Sequence, residues 1–123
     1  MILPDTSIWV DHLQRAEPTL VTLLQEGQAC VHPMVIGELA LGSLRDRDEV
    51  LTLLAGLPAV TTATHVEVLA LVDRHVLHGI GLSLVDAHLL AALRLSPPAR
   101  LWTRDRRLRA AAEGLGVAAT LLD

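Results

Sequence analysis

Short apolar segments alternate with helix-type patterns along the whole chain, and this alternation restricts the fold more strongly than any other feature of the sequence. Very short apolar segments bounded by Gly, Pro, Asp or Thr are typical of strands that are buried on both faces. We predict such strands at residues 2–3, 29–31, 59–61 and 101–103. The last apolar stretch, residues 117–122, is open to two interpretations, a fifth strand or a tail that docks on the rest of the protein.

Between these segments, apolar residues recur at helical spacing, with capping residues before them and glycine or proline after them. The predicted helices cover residues 6–13, 18–26, 34–41, 46–55, 64–78, 83–95 and 106–113. Strands that alternate with helices form a parallel sheet covered on both faces, so we predict a three-layer α/β/α domain. No repeat, low-complexity tract or linker interrupts the 123 residues, which we assign to a single domain over residues 1–123.

The composition excludes several functional classes. Apolar residues make up 51% of the chain and charged residues 20%, as in folded globular proteins. The sequence has no lysine, which excludes a Walker A phosphate loop and Schiff-base chemistry. It has no Phe or Tyr and only Trp9 and Trp102, so it lacks a row of aromatic side chains on which unpaired bases could stack. The single cysteine, Cys30, excludes a disulfide framework and is expected to be a small buried apolar residue.

The sequence predicts neither a membrane span nor a signal peptide. Its longest uncharged stretch, residues 50–66, contains Gly56 and Pro58, so it cannot serve as the apolar helix of about 20 residues that a bilayer needs. The N-terminal segment lacks the basic region of a signal peptide, and Asp5 interrupts its apolar run. We therefore expect a cytoplasmic protein.

Arginines are concentrated near the end of the chain. The formal net charge is −4, yet residues 100–109 contain five arginines and one acid. A small basic patch is therefore predicted on an otherwise acidic protein.

Four carboxylates occupy positions where an ordinary surface charge is not expected. Glu38 and Asp86 lie on apolar faces of predicted helices, so we expect both to be buried. Asp5 and Asp105 each follow a predicted strand, and the carboxyl ends of parallel strands meet at one edge of a sheet. Four acids with no lysine nearby repel one another unless a divalent cation joins them. Oxygen ligands alone select Mg²⁺ or Mn²⁺.

A structural role could also account for three of these acids. Asp5 and Asp105 could each be a helix N-cap, and residues 83–86 match a capping box that would use Asp86 in the same way. Glu38 matches no such pattern. His75 and His78 form a rival metal pair for zinc, but the sequence offers no third ligand of matching kind, and histidine near a helix C-terminus also interacts well with the helix dipole.

In these residues the sequence resembles a known family, the PIN-domain ribonucleases, and within it the VapC toxins of toxin-antitoxin pairs. The resemblance covers the whole chain and rests on four short motifs in order. They are Asp5-Thr6-Ser7 after the first strand, Glu38-Leu39 with Gly42 in the third helix, Ser83-Leu84-Val85-Asp86-Ala87, and Leu101-Trp102-Thr103-Arg104-Asp105. The chain departs from the common pattern after Asp105, because Arg106 and Arg107 stand where an additional acid is frequent and Leu108 stands where Phe is frequent.

The resemblance implies a parallel sheet of five strands in the order 3-2-1-4-5, with the acidic site at the crevice where that order reverses. It implies Asp5 as the central ligand of Mg²⁺ or Mn²⁺, Asp86 and Asp105 as direct or water-mediated ligands, and Glu38 as the residue that orients a water molecule. The hydroxyls implied to support these acids are those of Thr6, Ser7 and Thr103.

The implied activity is that of an endoribonuclease toxin, in which water attacks an RNA phosphodiester bond and leaves 5′-phosphate and 3′-hydroxyl ends. Arg104 and Arg106 are candidates to contact the RNA backbone. With few aromatic residues, recognition should depend on RNA shape, so we expect a structured substrate such as transfer or ribosomal RNA. The alternative is a noncatalytic PIN-like binding or scaffold protein whose carboxylates hold a structural ion or only cap helices.

The apolar content predicts partners. The chain has 26 leucines and a mean hydropathy of +0.44, which is more apolar surface than a small monomer hides easily. We expect a homodimer, and by the resemblance a hydrophobic groove that binds a VapB-type antitoxin.

Overall fold

The structure is a computed structural model and describes residues 1–121. Each of the seven predicted helices is found within these residues, and two of the predicted strands are formed. In chain order the elements are β1 (Ile2–Pro4), α1 (Thr6–Gln14), α2 (Pro18–Gln25), α3 (Pro33–Leu41), α4 (Arg47–Ala55), α5 (His65–His75), α6 (Leu84–Arg94), β2 (Arg100–Trp102) and α7 (Arg106–Gly114).

The two strands lie side by side and run parallel, with Leu3 opposite Leu101. Three further segments extend this sheet through single parallel bridges, two of them to the strands and the third to one of the bridged segments. The bridged pairs are Ile2 with Ala29, Val31 with Ala59, and Leu101 with Ala118. The α/β class is therefore confirmed, whereas the order of five strands stays a prediction because the structure forms a two-stranded sheet.

The bridged segments are too short to become regular strands. Gly27, with φ +67, follows the C-cap of α2, and His32 already caps α3, so few residues between them are free to pair. Cys30 N–H donates to the Ile2 carbonyl at 2.8 Å, and Val31 N–H donates to the Pro58 carbonyl at 2.9 Å. Each bridge thus has its own hydrogen bond although no ladder forms. The final predicted segment lies partly outside the described residues, which end at 121.

The end of α5 differs from the sequence prediction. The capping box of Thr64 and Glu67 opens the helix as predicted, but the helix ends at His75 and not at His78. Val76 adopts a left-handed conformation at φ 53, and the Leu77 N–H then donates back to the Val72 carbonyl at 2.9 Å. Because Leu77 is buried, this turn places an apolar side chain in the core that a continued helix would carry elsewhere.

Helix α6 forms the centre of the core. Every residue from Ala87 to Leu93 is buried, and α6 packs against α3, α5 and β2. Asp86 occupies the first turn of this buried helix, so the position of its carboxylate is fixed by the core. The cysteine prediction is confirmed, since Cys30 is only 3% exposed and its thiol lies 3.4 Å from the Ile2 carbonyl.

Within residues 1–121, no helix is both long enough and apolar enough to cross a membrane.

Candidate active site

Asp5 lies where β1 meets α1 and is the best-fixed acid of the structure. The residue is 6% exposed. Oδ1 accepts hydrogen bonds from the Ile8 N–H at 3.1 Å and from the Ser7 hydroxyl at 2.6 Å. Oδ2 accepts one from the hydroxyl of Thr103, a buried residue that follows β2. These bonds hold the carboxylate rigidly between the ends of the two strands.

Asp105 is connected to Asp5 through the same threonine. Its backbone N–H donates to Thr103 Oγ1 at 3.1 Å, and its Oδ1 accepts from the Leu108 N–H at 2.9 Å. The side chain caps α7 and is exposed to solvent. Thr103 therefore joins two of the predicted ligands at the carboxyl ends of β1 and β2.

Asp86 approaches the same place from α6. Its Oδ2 accepts from the Ser83 N–H at 3.0 Å, which completes the predicted capping box. Burial raises the pKa of the Asp86 carboxyl above its ordinary value, the Ser83 hydrogen bonds oppose this rise, and the negative charges of Asp105 and Asp5 add to it. Acids from three separate elements are therefore close enough to repel one another.

Glu38 is placed differently from the expectation. It is exposed, so the prediction of a buried carboxylate is wrong, and Asp86 is only half-buried. Glu38 is exposed because helix α3 packs Val35 and Leu39 into the core, while its opposite side, which carries Glu38, faces an open cleft. Thr6 Oγ1 donates to Glu38 Oε1 at 2.5 Å. That bond ties Glu38 to the residue directly after Asp5.

The capping interpretation is correct for all three aspartates as local geometry. Asp5, Asp86 and Asp105 each accept a backbone N–H at a helix start. The cap uses Oδ2 of Asp86 and Oδ1 of Asp105, which leaves the other oxygen of each outside the capping bond. A cap and a ligand role are therefore compatible in the same side chain.

The donor set fits a hard divalent cation better than a soft one, because it consists of carboxylate and hydroxyl oxygens. Within residues 1–121, however, no three His, Cys, Asp or Glu side chains are arranged to hold one metal ion. Mg²⁺ is commonly bound through one or two carboxylates and keeps several waters. The residues present therefore fit a hydrated Mg²⁺ or Mn²⁺ ion and do not form an all-protein cage.

His75 and His78, the rival pair of zinc ligands, do not lie on the same helix. His75 ends α5, and His78 lies in the turn that follows. The predicted i, i+3 arrangement on one helix is therefore absent from this part of the described chain.

A cleft of about 770 Å³ opens beside Glu38 and Thr6. The cleft lies between α1, α3 and α4, and Arg45 is one of the residues that line it. Its apolar walls come mainly from Val10, Leu13, Leu39, Leu44 and Val50. A hydrophobic groove was predicted from the apolar content, but no sequence pattern indicates its location.

The arginines near Asp105 differ in their contacts. Arg104 pairs with Asp11 and Glu17, each at 2.9 Å, and it also lies over the Trp102 ring. Arg109 donates to the Thr103 carbonyl at 2.7 Å. The Arg104 ion pairs were not predicted, since no local pattern connects Arg104 with acids so distant in the chain. Arg106 is exposed beside Asp105.

The chain is similar in sequence to proteins of one known family. Residues 2–114 match the PIN domain family. The chain is 55% identical over 118 residues to ribonuclease VapC32 of Mycobacterium tuberculosis strain CDC 1551 / Oshkosh, which covers 96% of this chain and 95% of that protein. The same values apply to ribonuclease VapC32 of strain ATCC 25618 / H37Rv. The resemblance inferred from the four motifs is therefore confirmed, and the chain belongs to the PIN-domain family, in its VapC group.

Proposed function

We propose that this protein is a Mg²⁺- or Mn²⁺-dependent endoribonuclease that acts as the toxin of a toxin-antitoxin pair. One observation carries the proposal, namely that Thr103 Oγ1 joins Asp5 and Asp105 by hydrogen bonds at the carboxyl ends of the two parallel strands, with Asp86 near them in the first turn of α6. Like charges brought together by three separate elements are unfavourable without a cation. Membership of the VapC group supports the choice of RNA as the substrate.

We assign a role to each acid from the hydrogen bonds that its carboxylate makes. Asp5, fixed by three hydrogen bonds, is the central ligand, and Asp86 and Asp105 contribute directly or through water. The bound ion would supply charge neutralisation at the phosphate and a lower pKa for an attacking water. Oε1 of Glu38 accepts the hydrogen bond from the Thr6 hydroxyl, so Oε2 can accept a hydrogen bond from that water and orient it.

The surroundings of the acids suggest where RNA and a protein partner bind. Arg106 is exposed beside Asp105, so its guanidinium can bind a phosphate of the RNA. Arg104 could do so only after breaking its ion pairs with Asp11 and Glu17. We propose a structured transfer or ribosomal RNA as the substrate. The cleft between α1, α3 and α4 has apolar walls and is also lined by Glu38 and Arg45, so it suits a largely apolar segment of a VapB-type antitoxin.

The remaining expectations are part of the same proposal. The three single bridges follow the neighbour relations that the strand order 3-2-1-4-5 requires. We propose this five-stranded arrangement, a single domain over residues 1–123, a homodimer and a cytoplasmic location.

The second candidate is a noncatalytic PIN-like binding or scaffold protein. The observation in its favour is that Asp5, Asp86 and Asp105 each cap a helix. Under this alternative the carboxylates hold a structural ion or only cap helices, and RNA would not be cleaved.

Two conservative substitutions separate the candidates, Asp5→Asn and Glu38→Gln. We expect both to abolish Mn²⁺-dependent RNA cleavage, and Asp5→Asn to reduce the Mn²⁺-induced rise in Tm. Without metal, Asp5→Asn keeps the N-cap and removes one repelling charge but loses the acceptor of the Thr103 hydroxyl. Because these effects oppose each other, we expect the free energy of unfolding to fall by no more than about 1 to 2 kcal/mol.

The matched control is Glu26→Gln, which neutralises an exposed acid after α2 and should leave both readouts unchanged. Cleavage that survives in Asp5→Asn and in Glu38→Gln contradicts the nuclease mechanism. A wild-type protein that cleaves no RNA with or without Mn²⁺ supports the scaffold alternative, and the response of its Tm to Mn²⁺ then tells a structural ion from capping alone.

A further inference from the structure

Arg107 packs directly on the backbone of Gly81. A Cβ added to Gly81 would lie 2.9 Å from Arg107 Cδ and 3.1 Å from Cζ, and closer still to Nη1. Gly81 also has φ +88, a conformation that L side chains rarely adopt. The backbone angle therefore favours glycine at this position, and a side chain there would also displace the Arg107 side chain.

This contact joins the two loops that carry acids of the candidate site. Gly81 stands two residues before Ser83, whose backbone binds Asp86. Arg107 stands two residues after Asp105, in the first turn of α7. The guanidinium is therefore held near the start of α6 and the start of α7, where Asp86 and Asp105 are located.

Within residues 1–121, the positive charge of Arg107 is not neutralised by an ion pair. Arg107 is exposed, and no carboxylate among residues 1–121 forms an ion pair with it. The charges that act on Asp86 are those of other acids. A cation in the first turn of a helix is also unfavourable, because the N-terminal end of the helix dipole is positive. Neither ion pairing nor helix stability therefore explains this arginine.

We propose that Arg107, seated on Gly81, binds an RNA phosphate next to the acidic site, together with its neighbour Arg106. The proposal rests on the proposed ribonuclease function and specifies how its substrate is positioned. The planar guanidinium suits a phosphate, to which it can donate two parallel hydrogen bonds. Arg104 is less suited to this role, because Asp11 and Glu17 already compensate its charge.

The first test measures binding and not cleavage. A fluorescein-labelled RNA hairpin of mixed sequence is titrated in the Asp5→Asn background by fluorescence anisotropy, at several salt concentrations. Arg107→Gln should weaken binding by about tenfold and lower the slope of log K against log salt by about 0.7 to 1. Arg15→Gln is the control, because Arg15 lies at the opposite end of α1 from Asp5, and its salt slope should equal that of the background protein.

The second test uses a glycine pair. Gly81→Ala adds backbone strain and displaces the Arg107 guanidinium. Gly79→Ala adds similar strain at φ +73 but has nothing within 4 Å of its Cβ. We expect Gly81→Ala to weaken RNA binding about as much as Arg107→Gln, with no further loss when the two are combined, whereas Gly79→Ala leaves binding unchanged.

The outcomes distinguish this inference from the proposed function. An unchanged salt slope in Arg107→Gln, with wild type still cleaving RNA, overturns the role of Arg107 alone. Additive losses from Gly81→Ala and Arg107→Gln overturn the seating of the guanidinium on Gly81. A wild-type protein that neither binds the hairpin nor cleaves RNA overturns both proposals.

Discussion

Thr103 connects two acids of the candidate site through a single hydroxyl. This group donates to Asp5 Oδ2 and accepts from the Asp105 N–H, in a residue that is 3% exposed. Thr103→Val keeps the shape but leaves a buried carboxylate oxygen without its donor. We expect a loss of about 1 to 3 kcal/mol in the free energy of unfolding, measured in urea, together with reduced RNA cleavage.

Thr103→Ser is the matched control, since it retains the hydroxyl and should keep most of both properties. Equal stability of Thr103→Val and wild type would show that the hydroxyl does not hold the two acids in place.

Val76 is a β-branched residue in a left-handed conformation, with φ 53 and a side chain that is 63% exposed. The left-handed region costs a non-glycine residue roughly 1 to 2 kcal/mol. Because little packing is lost, we expect Val76→Gly to raise the free energy of unfolding by up to about 1 kcal/mol. Val66→Gly is the comparison on the same helix, where Val66 is 76% exposed, and it should lower stability by a similar amount. A decrease in both variants contradicts the strain at Val76.

At the scale of elements, helix α3 depends on a neutral histidine. His32 is 2% exposed, and its Nδ1 accepts from the Met34 N–H at 2.9 Å, which requires Nδ1 to be unprotonated. Burial lowers the pKa of His32, and the nearby His88 lowers it further. Because the pKa of His32 is lower in the folded protein, the unfolded chain binds a proton at a higher pH than the folded protein does. The contribution of His32 to the free energy of unfolding is therefore present above pH 6.5, the ordinary pKa, and is lost as the pH falls below it.

We therefore expect the free energy of unfolding to be constant from about pH 8 to 7 and to decrease below about pH 6.5. His12, whose pKa is also lowered by burial, contributes in the same direction. His32→Asn can still cap α3 but cannot titrate, so its stability should change less with pH than that of wild type, even if it is lower throughout. Parallel pH profiles of the two proteins would contradict the role of His32.

The helices were easier to predict from the sequence than the strands because their signals are local. The capping boxes of Thr64 with Glu67 and of Ser83 with Asp86 are complete within four residues, and both are formed. A strand needs a partner that is distant in the chain, so its length cannot be judged from its own residues. The position of Asp5 at a strand end was predictable for the same local reason.

The surroundings of the acids depend instead on tertiary contacts. The exposure of Glu38 follows from a cleft between α1, α3 and α4, which an apolar helix pattern does not reveal. The Arg107 contact with Gly81 likewise joins residues with no pattern in common. The acids could thus be located from local patterns, while their environment required the assembled fold.

At the scale of the whole molecule, large apolar side chains remain on the surface. Several of them lie on α5, on the segment that follows it or at the start of α6: Val66, Leu69, Val76, Ile80 and Leu84. Association is the ordinary way to cover such residues. We expect light scattering at tens of micromolar to give about twice the monomer mass of 13.2 kDa. Leu69→Glu should shift the protein towards monomer, and a monodisperse wild-type monomer would contradict the homodimer.

The hydrogen bond between Thr103 and Asp5 spans 98 residues of sequence. During synthesis, at about 5 to 20 residues per second, Thr103 is therefore added roughly 5 to 20 s after Asp5. Until then β1 also lacks β2, its parallel partner. Under the proposed function, a ribosome that has not yet added Thr103 therefore carries a chain whose central acid lacks its buried hydroxyl partner. The earliest time at which a new chain can become a competent nuclease is thus set by the addition of residue 103, and not by the early synthesis of Asp5.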